Sequence, residues 1–264
     1  EISLVDAIDN SQLDAFIASL SDEDLTTILY GHPDINAADT NGIGLMRKER
    51  RDVKKIPLVP TADGPAGLRV FPDSGIFATH FPCANTIAQT WNLEISRKIG
   101  VAGAREVKEN NVGIWLAPAL NIHRNPLCGR NFEYYSEDPL CSGLFATWNV
   151  KGIQSQKIAA TVKHYLANNK EINRKASDSR VSQRALREIY LRGFEIVIKK
   201  AKPWALMTSY NLVNGIQAST NWESINGILR GEWGYDGVVM TDWWAHSNIE
   251  DELAAGSDVK MPEL

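Results

Sequence analysis

The chain has 264 residues, somewhat under two domains at ~150 residues each but well matched to one α/β barrel of ~250 residues. Hydrophobic residues make up 44% and charged residues 23%, which excludes disorder, collagen and coiled coil as descriptions of the whole chain. Lys and Arg number 28 against 32 Asp and Glu, a net charge of −4 with no basic block, which argues against a nucleic-acid or anionic-membrane partner.

In chain order, residues 11–29 open with a helical pattern: Leu13, Phe16, Ile17 and Leu20 fall at i, i+3, i+4 and i+7. Ser21, with Asp24 three residues on, predicts a second helix start, because a hydroxyl can accept a free N–H of the first turn. Residues 1–30 are read as a helical segment leading into a barrel over 31–264, and the polar stretch 31–52 as a long loop. Short apolar runs then alternate with helical patterns. The runs are 56–59, 114–120, 159–162, 205–207, 237–240 and, more weakly, 259–261. The clearest helix starts at Ser182 and aligns Leu186, Ile189, Tyr190, Gly193, Phe194 and Val197 on one stripe.

Near-continuous apolar runs suit strands buried on both faces, as in a parallel sheet. Strand–helix alternation over this length predicts an α/β fold, a (β/α)8 TIM-like barrel, irregular or incomplete because only six strands are legible where eight are needed. No repeat, low-complexity segment or interdomain linker interrupts it. No apolar run reaches the ~18 residues of a membrane span, and the N-terminus lacks a basic-then-apolar leader. The expectation is a cytoplasmic protein without a membrane partner. The chain begins at Glu1 and ends at Leu264 without a recognisable terminus, and is read as a piece of something longer.

Each run is followed by polar residues: Asp63; Asn121 and His123; Lys163 and His164; Tyr210; Asp242. Barrels and open parallel sheets place their active sites at the carboxyl ends of the strands, so these clusters are expected to converge. Asp63, in Asp63-Gly64-Pro65-Ala66-Gly67, either shapes a turn or accepts hydrogen bonds from substrate hydroxyls. Arg130, in a loop of charges and aromatics, offers paired donors for vicinal hydroxyls or for a carboxylate. Its neighbours Glu133, Glu137 and Asp138 read as ion-pair partners and turn residues.

Lys163 and His164 would point to opposite faces along a strand, but both can reach a pocket where the strand ends; a structural hydrogen-bonded role for His164 is equally open. Asp242, after a buried strand, needs partners, and Lys163 and Arg130 are candidates. Cationic neighbours would lower its pKa, which suits a nucleophile or electrostatic stabiliser and not a general acid. Trp243 offers a flat apolar surface for the C–H face of a sugar.

Other chemistries find little support. His32, His80, His123, His164 and His246 show no HExxH spacing, and Cys83, Cys128 and Cys141 no CxxC, so the cysteines read as free thiols and no metal is expected. Nucleotide-binding glycine motifs and the GxSxG elbow are also absent, and no cofactor is expected.

Taken together, Asp63-Gly64-Pro65, Gly129-Arg130-Asn131-Phe132-Glu133 through Ser136-Glu137-Asp138-Pro139, Lys163-His164, Met207-Thr208-Ser209-Tyr210-Asn211 and Thr241-Asp242-Trp243 resemble glycoside hydrolase family 3, the β-glucosidase type. The five pieces occur in the family's order from about Ser21 to Pro262. The resemblance implies retaining hydrolysis of terminal non-reducing β-D-glucosyl residues, with Asp242 as nucleophile. Asp63, Arg130, Lys163 and His164 would bind sugar hydroxyls in the −1 subsite. Tyr210 would lie near the nucleophile, Arg174 would support the site and Trp243 would flank the sugar.

Most of the family draws its acid/base Glu from a separate α/β-sandwich domain, which this chain has no room for. The N-acetylglucosaminidase branch uses a His loop after Lys-His-Phe-Pro-Gly-His-Gly, but here Lys163-His164 is followed by Tyr165-Leu166-Ala167-Asn168-Asn169. The expectation is therefore a barrel half whose partners are a β-glucoside or short β-gluco-oligosaccharide and a second domain or chain supplying the Glu. The segment 11–63 is more similar to members that carry the sandwich domain first. Asp63 resembles members that grip O4 and O6 of a hexose, favouring β-glucoside over β-xyloside. The alternatives are a sugar-binding half without independent turnover and a β-xylosidase or other β-glycosidase of the same family.

Overall fold

The computed structural model describes residues 2–31, 40, 42–44 and 48–262. His32 lies outside them. Three short helices open the chain: α1 (Leu4–Asp9), α2 (Leu13–Ala18) and α3 (Asp22–Ile28). The Ser21 start is present as a reciprocal cap. Ser21 Oγ accepts from the Asp24 N–H at 3.1 Å, and Asp24 Oδ2 accepts from the Ser21 N–H at 3.0 Å. The cap divides the predicted stretch 11–29 into two helices.

Much of the loop expected over 31–52 lies outside the described residues, and its end belongs instead to helix α4 (Lys48–Lys54). Charge, not an apolar stripe, docks this helix. Arg50 Nε donates to Asp24 Oδ2 at 3.1 Å, and fully buried Lys54 donates to Ser19 Oγ at 2.7 Å.

The run 56–59 is not the first barrel strand. Pro57 and Pro60 remove backbone donors, Val59 pairs antiparallel with Ile43, and the parallel ladder begins at β1 (Thr61–Ala62). The chain continues through α5 (Ala84–Ala88), α6 (Leu93–Glu109), β2 (Ile114–Trp115), α7 (Pro139–Gln154), β3 (Ala159–Tyr165), β4 (Asp178–Ser179) and α8 (Gln183–Ala185). Then come α9 (Arg192–Ala201), β5 (Ala205–Thr208), β6 (Leu212–Val213), β7 (Ile216–Gln217), β8 (Val238–Met240) and α10 (Ile249–Ala255).

A π-helical turn, Leu186–Tyr190, precedes α9 and widens the helical period. It throws Ile189 out of the predicted stripe to 39% exposure, while Leu186, Phe194 and Val197 stay buried.

The fold is a TIM-like α/β barrel. Its sheet runs β1-β2-β3-β5-β8, all parallel, and parallel bridges Met240–Val259 and Tyr30–Lys260 extend it through the weak run 259–261 to the start of the chain. Hydrogen bonding among the described residues does not close it.

Both sheet faces are apolar because both are buried. Trp115, Leu206 and Val239 point outward to α6, α7 and α9, whereas Ile114, Leu116, Ala205, Met207 and Met240 fill the interior. Gly100 on α6 and Gly152 on α7 let these helices approach until a Cβ on either would strike the other's backbone. A separate three-stranded sheet, β4-β6-β7, sits outside; Asn214 and Gly215, both at positive φ, turn its hairpin. Among the described residues no helix is long and apolar enough to cross a membrane.

Candidate active site

The strand ends converge on one cavity of about 500 Å³, with Leu116 and Met207 from the interior layer in its wall. Asp63, Arg130, Lys163, His164, Arg174, Tyr210, Asp242 and Trp243 all line it. Asp63 follows β1 directly, Lys163 and His164 lie near the end of β3, and Tyr210 and Asp242 come two residues after β5 and β8. The Lys163–His164 peptide is cis, and both side chains reach the cavity. Arg130 and Arg174 come from the loops after β2 and β3.

The polar groups are already paired with one another. Lys163 Nζ donates to Asp63 Oδ1 at 2.5 Å, and Arg69 lies 3.2 Å from Asp63 Oδ2. Burial alone would push the Asp63 carboxyl up, but the Lys163 charge and hydrogen bond hold it down at about 2. Arg130 Nε donates to Glu133 Oε1 at 2.5 Å, and its Nη2 donates to His164 Nε2 at 2.6 Å. Burial opposes the Arg130 charge, but Glu133, Asp242 and Glu171 keep it protonated.

Burial, then the charges of Arg130, Lys163 and Arg174, push His164 well below its ordinary pKa, so the ring is neutral. The bond from Arg130 assigns its proton to Nδ1, 3.4 Å from both Asn121 Oδ1 and Tyr134 Oη. Asn121 also clamps the His164 backbone, accepting from its N–H at 2.8 Å and donating to its carbonyl at 2.9 Å. Arg174 stacks its guanidinium 4.4 Å above the Tyr210 ring and donates to Glu171 Oε2 at 2.8 Å.

Asp242 corrects two expectations. Neither Lys163 nor Arg130 bonds to it directly, because each is spent on Asp63, Glu133 or His164. Its pKa is raised, not lowered: burial outweighs the pull of Arg130, the Trp243 N–H and Lys163. The Trp243 N–H donates to Asp242 Oδ1 at 2.8 Å, while Oδ2, 3.9 Å from His164 Nε2, is buried without a hydrogen-bond partner.

His123 departs from the strand-end expectation, whereas Glu133 and Asp138 do not. His123 does not line the cavity; its Nε2 lies 2.9 Å from the carbonyls of Asn131 and Tyr134 and ties down the Arg130 loop. Glu133 is the ion-pair partner it was expected to be, and Asp138 caps α7 by accepting from the Leu140 N–H at 2.8 Å. Arg69, Phe132 and Trp244 line the cavity but were not singled out. An Arg six residues beyond Asp63 carries no signal by itself. Among the described residues, no group of three or more His, Cys, Asp or Glu is placed to hold a metal, and Cys83, Cys128 and Cys141 are free thiols.

The sequence profile of the glycosyl hydrolase family 3 N-terminal domain matches residues 5–261. Beta-glucosidase A of Butyrivibrio fibrisolvens is 51% identical over 249 residues, which are 94% of this chain and 29% of that protein. An exo-alpha-(1->6)-L-arabinopyranosidase of Bifidobacterium longum is 42% identical over 235 residues, covering 86% of this chain and 31% of that protein. The solved structure of beta-glucosidase 3B from Thermotoga neapolitana in complex with alpha-D-glucose superposes with a TM-score of 0.89 at 43% identity, over 95% of this chain and 36% of that one. The chain thus spans about a third of the length of these relatives.

Proposed function

The chain belongs to glycosyl hydrolase family 3, and from that premise we propose that it is the sugar-binding and nucleophile-bearing barrel of a retaining β-glucosidase. Asp242 Oδ2 attacks the anomeric carbon, the bond to the aglycone oxygen breaks, and a glycosyl ester forms on Asp242. Water then cleaves the ester and restores the carboxylate with net retention. The aglycone oxygen takes a proton from an acid that later removes one from the water. A retaining geometry needs that second carboxyl about 5–5.5 Å from the first. We assign it to a Glu of a further domain or chain.

One observation carries this reading: Oδ2 of Asp242 is a buried carboxylate oxygen with no hydrogen-bond partner, in a cavity whose other two carboxylates, Asp63 and Glu133, are each paired with a cation. Burial makes the carboxylate more basic, which favours attack once it is ionised. Lys163, Arg130 and Asp63 present paired, pre-oriented groups to the sugar hydroxyls, and Trp243 flanks the ring. Such groups reorganise little during reaction, which is how preset dipoles lower a barrier.

A second reading, binding without turnover of natural substrates, is favoured by the cavity's other two carboxylates. Asp63 and Glu133 are each held by a cation, and the Asp63 carboxyl, held at about 2, cannot serve as an acid near neutrality. The two readings part on the leaving group. Dinitrophenyl β-glucoside needs no acid, whereas a natural β-glucoside does.

The test is intact mass and peptide mapping after incubation with 2,4-dinitrophenyl 2-deoxy-2-fluoro-β-glucoside, on the protein at the full length its gene encodes. A single adduct on Asp242 is the expected result; no adduct, or one elsewhere, overturns the assignment. Because the similar proteins include both β-glucosidases and an arabinopyranosidase, aryl β-glucoside, β-xyloside and α-L-arabinopyranoside should be compared directly. The highest kcat/KM is expected for the glucoside.

A further inference from the structure

Outside the cavity lies a buried charged pair that the proposed chemistry does not use. Lys260 is 5% exposed and Glu252 1%. Lys260 Nζ donates to the two Glu252 oxygens at 3.1 and 3.2 Å, to the Ser247 carbonyl at 2.6 Å and, at 3.5 Å, to the Ala245 carbonyl. Glu252 Oε1 also accepts from Ser247 Oγ at 2.5 Å, and Ser247 Oγ lies 2.6 Å from Ser219 Oγ.

Ala245 and Ser247 belong to the loop that begins at Asp242 and ends at α10. Its beginning is tied to the same segment of chain. The Trp244 N–H donates to the Met261 carbonyl at 2.8 Å, the Thr241 N–H to the Val259 carbonyl at 3.0 Å, and the Met261 N–H to Thr241 Oγ1 at 2.8 Å. Trp244 stands at φ 54, a left-handed conformation that a Trp rarely adopts and that persists only where surrounding bonds impose it. A buried ion pair that merely packs can usually be exchanged for apolar side chains without loss. Here the ammonium spends its remaining bonds on two carbonyls of the loop that carries Asp242, Trp243 and Trp244.

We propose that Lys260, oriented by Glu252, is a positioning residue that fixes this loop, and with it the angle of the Asp242 carboxylate. The proposal rests on the reading of Asp242 as nucleophile. Lys260 touches no substrate; it acts through the Ala245 and Ser247 carbonyls.

The experiment compares wild type, Lys260→Met and the double variant Lys260→Met/Glu252→Leu at full encoded length. The single variant strands Glu252 as a buried charge, and its Tm is expected to fall by about 10 °C. The double variant removes both charges and is expected to return to within a few degrees of wild type. Fluoroglucoside labelling of Asp242 separates positioning from stability. In the double variant the first-order labelling rate is expected to stay about 10- to 100-fold below wild type, the cost of a carboxylate displaced by a fraction of an ångström to one ångström, while the Kd for glucose changes less than threefold. Labelling at the wild-type rate in a stable double variant overturns the proposal. So does slow labelling that merely follows the loss of Tm. If wild type itself acquires no label on Asp242, the nucleophile reading fails and this proposal falls with it; a labelled wild type confines any failure to Lys260.

Discussion

Two regions of the molecule use the same ion-pairing side chains to different ends. Along α8, α9 and the turn between them, Arg184 pairs with Glu188, and Glu195 pairs with Arg192 and Lys199, all at the surface. At the cavity, Lys163 pairs with Asp63 and Arg130 with Glu133, and the Lys163 and Glu133 side chains are only 3% and 4% exposed. Exposed pairs are screened by water and salt and are worth about 0–1 kcal/mol. Breaking a buried pair leaves an uncompensated charge and costs about 3–5 kcal/mol. The surface pairs are therefore replaceable, whereas the cavity pairs hold polar groups out of water in the orientations a sugar would meet.

The sharpest way to break this comparison is Asp242→Ala. Turnover of an aryl β-glucoside should fall by several orders of magnitude with Tm unchanged or raised, since a buried carboxylate is removed; near wild-type kcat would end the assignment. Lys163→Ala should come next. Losing an ionic donor that strengthens in the transition state is expected to lower kcat/KM by about 10²- to 10³-fold, and the abandoned Asp63 carboxylate should lower Tm as well. An unchanged kcat/KM would show that Lys163 does not meet the sugar.

The pH dependence sharpens the same contrast. Asp63 is held at about 2, so its pairing stabilises the fold fully above the ordinary aspartate value of 3.8 and is lost as the pH falls through about 2. The contribution is of order 2 kcal/mol, measurable by urea titration between pH 2 and 5. His164 acts in the same direction at higher pH: its folded pKa lies well below the ordinary 6.5, so acidification below 6.5 protonates the unfolded chain first and costs stability. Because Asp242 is raised, the acid limb of kcat/KM should lie above 3.8 and move further up in Lys163→Ala, where a cation that favours the carboxylate is gone. A downward move would contradict the electrostatics. The smallest effect belongs to the surface: Arg184→Ala should shift Tm by less than about 2 °C, and a larger loss would erase the distinction between the two regions.

Much of the candidate site was legible because polar residues directly after apolar runs have few places to go in a parallel sheet. Asp63, Lys163, His164, Tyr210 and Asp242 could be picked out for that reason alone. The first strand lies three to five residues beyond the run at 56–59, since an apolar count there ignores what Pro57 and Pro60 do to a ladder. Ile189 was placed in the core because a π turn cannot be seen in a 3.6-residue pattern. Helix α4 was missed because its docking is electrostatic. The Asn214-Gly215 hairpin did carry a local signal, the dipeptide that suits two successive positive-φ residues, and it could have been found.

What the amino-acid sequence by itself determined is the alternation of buried strands and amphipathic helices, the cap at Ser21, and which polar residues stand at strand ends. These depend on neighbours in the chain. The tertiary structure alone decided who pairs with whom: Lys163 with Asp63 across 100 positions, Arg130 with His164 across 34, and Asp242 with neither cation. It also reversed the expected shift of Asp242. The reason is physical. A residue's charge is written in its identity, but the cost of removing that charge from water, and the partners that offset it, exist only once distant segments have packed around it.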